Sequence, residues 1–98
     1  MGEYELSPEA ERDLLEIALY GLEHFGLEQS EHYRDALKTR FQELADNPLQ
    51  YPAVEHIRQG YRRSVCGSHS IYFRIEGQGV AIMRILGRQD IEAALGDG

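Results

Sequence analysis

The spacing of apolar residues changes once along this chain, at Asn47-Pro48, and that change limits what the chain can fold into. Before it, Ala10, Leu14, Ile17, Ala18, Gly21 and Phe25 recur at a helical period, and Leu15, Leu19 and Leu22 widen the apolar face. Tyr33, Ala36, Leu37, Phe41, Leu44 and Ala45 form a second helical stripe, which Asn47-Pro48 ends. After it, Ile71, Phe73 and Ile75 alternate with Ser70, Tyr72 and Arg74, as in a strand with one apolar and one more polar face. Helices first and strands afterwards imply an α+β fold, with the helices segregated to one face of a mainly antiparallel sheet.

Local signals divide these stretches into elements. Tyr4-Glu5-Leu6 reads as a short strand. Ser7 can cap a helix, Pro8 suits its first position, and Glu9 and Glu11 favour its positive end. Gly26 is a stop, and a second helix is expected from about Glu28 to Asp46, so the short link predicts an antiparallel helical hairpin. Leu49 to Gly60 reads as an ordered connection. Strands follow at Tyr61–Cys66 and His69–Glu76, joined by Gly67-Ser68, and at Val80–Leu86 after Gly77-Gln78-Gly79. Gly87 is expected to break the last strand, and Arg88–Leu95 to form a short terminal helix. The order is β-α-α-β-β-β-α, with the first strand expected to join the meander. At 98 residues this is a single domain spanning 1-98. Its predicted core is Ala10, Leu14, Ile17, Phe25, Leu37, Phe41, Ile71, Phe73 and Ile82.

Charge is unevenly placed. The net charge is −7; residues 1–50 hold 12 acids against 4 bases, a balance of −8, and residues 51–98 hold 5 against 6, a balance of +1. Such acidity argues against broad nucleic-acid binding, which needs a basic surface, and against direct sequence-specific binding to it. Cys66 has no partner for an intrachain disulfide, which fits a reducing compartment. The acidic start of the chain does not read as a signal peptide, and no apolar run approaches the ~20 residues of a membrane span. A cytoplasmic protein without a membrane partner is expected.

Catalytic constellations are hard to find. Ser68-His69 are adjacent, which is not triad geometry. His24, His32, His56 and His69 have no partner at zinc-like spacing, and Gly77-x-Gly79 precedes no helix that would make it a phosphate loop. Cys66 reads as a small buried side chain. No cofactor or metal is expected. The most informative polar feature is a set of arginines, Arg62, Arg63, Arg74, Arg84 and Arg88, on adjacent predicted strands or just beyond them. They could converge on one face or edge to receive a partner, or each could pair with a carboxylate of the acidic helices.

Three passages together resemble ParE-type toxins of the ParE/RelE superfamily. They are residues 4–14, from Tyr4 through Ser7-Pro8 to Leu14; residues 60–75, holding Gly60-Tyr61-Arg62-Arg63 and Ile71-Tyr72-Phe73-Arg74; and residues 80–90, holding Met83-Arg84-Ile85-Leu86-Gly87-Arg88-Gln89-Asp90. Their order and spacing span nearly the whole chain. Two positions depart from the family pattern: no Trp stands near Ala18, and Leu86 rather than His precedes Gly87. The resemblance implies the toxin of a toxin–antitoxin pair, neutralised by a ParD-type antitoxin and acting on DNA gyrase by contact. A converging arginine set would then receive an acidic antitoxin segment, the gyrase target, or both. The RelE branch shares the fold but cleaves messenger RNA, drawing its acid and base from Lys, Arg, His and Tyr, with an aromatic or His near the C-terminus. Here the last His is His69 and the last Tyr is Tyr72. Arg titrates above ~12 and is a poor proton shuttle. A binding protein is therefore expected rather than an enzyme, the alternatives being a RelE-like ribosome-dependent ribonuclease or a degenerate toxin that only binds its antitoxin.

Overall fold

The computed structural model describes residues 2–87. In chain order they form β1 (Tyr4–Leu6), α1 (Pro8–Phe25), α2 (Leu27–Asp46), a 3-10 turn (Pro48–Gln50), β2 (Arg62–Cys66), β3 (His69–Glu76) and β4 (Gly79–Gly87).

Ser7 starts α1 and also ties it to the sheet. Its Oγ accepts from the Ala10 amide at 3.0 Å and donates to the Met83 carbonyl at 2.8 Å. One residue, Gly26 at φ 91°, ends α1 and precedes the first residue of α2. The helices then approach closely at Gly21, where a Cβ would sit 2.9 Å from Ser30 Oγ. Ser30 uses that hydroxyl to donate to the Ala18 carbonyl at 2.9 Å.

The sheet has the order β1-β4-β3-β2. β2, β3 and β4 form the antiparallel meander, and β1 joins it by pairing in parallel with β4. Gly87 is the last paired residue of β4, opposite His69, rather than a break before it. The pairing shifts between Tyr72, opposite Arg84, and Phe73, opposite Ile82. Met83 is thus an extra residue in β4. This bulge lets Ile82 and Ile85, three positions apart, enter the same core, where a regular pleat would turn one of them away.

The main core lies between the helices and the sheet. It unites Ala10, Leu37, Phe41, Leu44 and Ala45 with Ile71, Phe73, Val80, Ile82 and Ile85. Of the expected core, Leu14 and Ile17 pack at its margin. Phe25 does not belong to it: this last residue of α1, at the hairpin tip, is 60% exposed. Leu15, Leu19 and Leu22 also face solvent, because α1 packs against α2, β4 and β1 and its remaining face is left uncovered by the described residues; on α2, Ala36 is exposed as well. The reverse correction applies to β3. Ser70 and Tyr72, read as its polar face, are buried, because the connection before β2 lays Val54 and Tyr61 across that side with Leu86. Ile75, toward the other end of the strand, is exposed.

β2 is an edge strand, but two of its outward backbone groups are occupied. The Arg63 amide donates to the Pro52 carbonyl at 3.1 Å, and Arg40 Nη1 donates to the Val65 carbonyl at 2.8 Å. No described helix is long and apolar enough to cross a membrane. The expected terminal helix at Arg88–Leu95 lies outside the described residues.

Candidate functional site

Asp13 lies on the buried side of α1, facing the bulge of β4. Its Oδ2 accepts from Arg84 Nε at 2.8 Å and from the Ile85 amide at 2.9 Å, while Oδ1 accepts from Arg84 Nη2 at 3.1 Å. A carboxylate this buried is stable only with such a set of donors. The hydrogen bonds to Asp13 push the Arg84 guanidinium further above its ordinary pKa, and the charges of Asp13, Glu9 and Glu16 reinforce this against the opposing effect of burial. One guanidinium therefore faces three carboxylates.

Beside this clamp runs an open groove of about 960 Å³. Asp13, Glu16 and Tyr20 of α1 line one side, Tyr33 of α2 and His69 of β3 the floor, and Arg84 to Gly87 the other side. Tyr33 anchors the β2–β3 turn. Its hydroxyl accepts from the Ser68 amide at 3.1 Å and lies 3.1 Å from the Cys66 carbonyl and 2.6 Å from His69 Nδ1. One arrangement satisfies all three contacts: His69 Nδ1–H donates to the phenol, the phenol donates to Cys66, and Nε2 is left as an acceptor. The turn can rest on this ring because position 67 is glycine, at φ +61°; a Cβ there would lie 2.6 Å from Tyr33 Cε1. Burial lowers the His69 pKa below its usual 6.5, against a smaller opposing pull from Asp13, so the ring is neutral near pH 7. Burial also raises the Tyr33 pKa.

With this geometry in view, the comparisons with known proteins agree. The family described as the ParE toxin of the type II toxin–antitoxin system parDE matches residues 4–92. Toxin ParE1 of Caulobacter vibrioides is 36% identical over 86 residues, covering 88% of each chain. Toxin ParE1 of Mycobacterium tuberculosis is 35% identical over 94 residues, covering 94% of this chain and 96% of the relative. The chain belongs to the ParE toxin family. Among solved structures, the chromosomal ParDE TA system from P. aeruginosa superposes with a TM-score of 0.77 at 20% identity, covering 89% of this chain and 96% of that one. The toxin–antitoxin complex RelBE2 from Mycobacterium tuberculosis reaches 0.62 at 19% identity, covering 89% and 98%. The ParE fold is thus shared with the RelE branch, and the fold alone does not separate them.

In this ParE-family chain the four predicted arginines among the described residues do not gather at one place. Arg84 reaches the groove and is held there by Asp13. Arg62 donates to the Tyr51 carbonyl at 2.7 Å. Arg63 lies opposite Tyr72, two residues from Arg74, so these two arginines share the face away from the helices. Arg74 pairs with Glu76 at 2.6 Å at the surface. Arg88 lies outside the described residues. Asp13, Glu16, Tyr20 and the Tyr33–His69 pair were not singled out from the sequence. Only Asp13 carried a signal, as a carboxylate beside the apolar stripe of Ala10, Leu14 and Ile17.

Proposed function

We propose that this ParE-family protein acts by binding, inhibiting DNA gyrase through protein–protein contact and being neutralised by a ParD-type antitoxin. The observation that supports this most is the uncovered face of α1, where Leu15, Leu19 and Leu22 are 58%, 53% and 47% exposed at helical spacing. A leucine stripe on a helix is the counterpart of an amphipathic segment laid along it. The neighbour from P. aeruginosa is a ParDE system, which supports an antitoxin as the partner. Strand addition at β2 would have to displace Pro52 and Arg40, so the helical face is the better seat.

The ribonuclease reading has one observation in its favour: the Tyr33–His69 pair stands in the same groove as Arg84. That guanidinium is already bonded to Asp13, however, with Glu9 and Glu16 nearby, and a backbone phosphate would meet more negative charge than positive. Purified protein added to a gyrase supercoiling assay should block supercoiling, and added antitoxin should restore it. Unimpaired supercoiling at excess protein, together with codon-positioned cuts in toe-printing of a translated message, would move the protein to the RelE branch.

A further inference from the structure

The groove beside the Asp13–Arg84 clamp has a chemistry opposite to that of the arginine set. Its apolar wall is the half-buried Ile17, and two aromatic rings stand at its α1 side with most of their surface uncovered: Tyr20 at 58% and Phe25 at 60%. Their centroids are 6.4 Å apart, edge to face. His24 stacks on Tyr20 at 3.8 Å, and its Nδ1 lies 2.9 Å from the Tyr20 carbonyl, which braces the ring from one side. Glu16 lines the same groove and has no ion-pair partner among the described residues. The cation of the groove, Arg84, is spent on Asp13, and His69 is neutral. Exposed aromatic rings, an unpaired carboxylate and an apolar wall are the elements that hold a Lys or Arg side chain, whose stem packs on rings while its charge meets the acid.

We propose that the groove is a docking site for a basic amphipathic segment of a partner protein, which seats a Lys or Arg side chain against Glu16 and the rings of Tyr20 and Phe25. Charge complementarity selects this occupant. An acidic segment or a nucleic-acid phosphate would face Asp13 and Glu16, with one guanidinium, Arg84, among the described residues of the groove to offset them. A second copy would bring the same acidic helix, from the half of the chain with a balance of −8, against itself. The proposal does not depend on which target the toxin inhibits, so the supercoiling assay and the one below fail separately.

The test uses the full chain and two synthetic amphipathic helices with the same leucine pattern, one carrying lysines and the other glutamates, read by fluorescence anisotropy at low and high salt. The lysine peptide should bind, more weakly as salt rises, and the glutamate peptide at least about tenfold less tightly. Glu16→Lys and Tyr20→Ala should each weaken lysine-peptide binding by about tenfold, with Glu16→Gln as the milder replacement should the reversal not fold. Ile75→Ser, at an exposed position of β3 outside the groove, should leave it unchanged. Equal binding of both peptides, full binding by Glu16→Gln, or an equal loss with Ile75→Ser would overturn the proposal. So would sedimentation showing a dimer that Glu16→Lys dissolves, which would make a second copy the occupant.

Discussion

The two helices of the hairpin look alike in sequence and are used differently. α2 carries one apolar stripe, and Leu37, Phe41, Leu44 and Ala45 are buried against the sheet. α1 carries apolar residues on two sides, yet Ala10 and Asp13 are its buried residues, and Leu15, Leu19 and Leu22 face water. A helix laid on a sheet needs one apolar face to fold. The second face of α1 is therefore surplus to the monomer. The three leucines are about half exposed, so covering what remains is worth about 2–5 kcal/mol before the costs of association are subtracted. That is a driving force kept for a partner rather than spent on folding.

Truncations on the two helices should separate them. Phe41→Ala on α2 should lower the unfolding free energy by about 3–5 kcal/mol, measured by urea denaturation. A loss below about 1 kcal/mol would mean that α2 presents a different face to the sheet. Next in size is Asp13→Asn, which leaves the Ile85 amide and the Arg84 guanidinium short of an anionic acceptor. It should cost about 2–3 kcal/mol, less than for a fully dry pair because water still reaches Arg84. If Asp13→Asn were neutral, the clamp would not be holding α1 to the bulge. For the same reason Arg84→Glu should lose folding and activity together, so Arg63→Glu and Arg74→Glu are the cleaner tests of arginine contacts with a target.

Leu19→Ser is the sharper half of the comparison. It should change stability by no more than about 0.5 kcal/mol while weakening neutralisation by the antitoxin in a co-expression growth assay. A large loss of stability would show that the outer face of α1 is covered in the free protein. The smallest expected effect is one of pH. The folded His69 has a pKa below 6.5, so the unfolded chain takes up its proton first. The stability His69 confers is complete above pH 6.5 and declines as pH falls through the lowered folded value. Urea titrations at a series of pH values should show this decline in the wild type and a smaller one in His69→Asn.

Much of the architecture was legible because its signals are local. Ser7-Pro8, Gly26 and Asn47-Pro48 bound the helices, and Gly67 and Gly77 sit at positive φ in the hairpin turns. What escaped was set by pairing at a distance. Asp13 and Arg84 are 71 residues apart and Tyr33 and His69 are 36, and no periodicity links such positions. The bulge at Met83 has no glycine or proline to announce it, yet it decides where Arg84 points. Periodicity marked both apolar faces of α1 without telling which of them the sheet would cover, and so Phe25 was read as core and the outer leucines only as a widening of the same face.

The guanidinium of Arg40 on the Val65 carbonyl has a consequence for the life of a protein that must sometimes exist alone. A type II toxin freed of its antitoxin has lost whatever covered it, and an open strand margin is where unprotected chains zip together into fibrils. Here the margin is stoppered from within: a long cationic arm from α2 at one end and a strap of the chain's own backbone at the other. When the molecule sheds its guardian, this margin of the sheet therefore stays blocked at both ends of β2 by the chain's own groups.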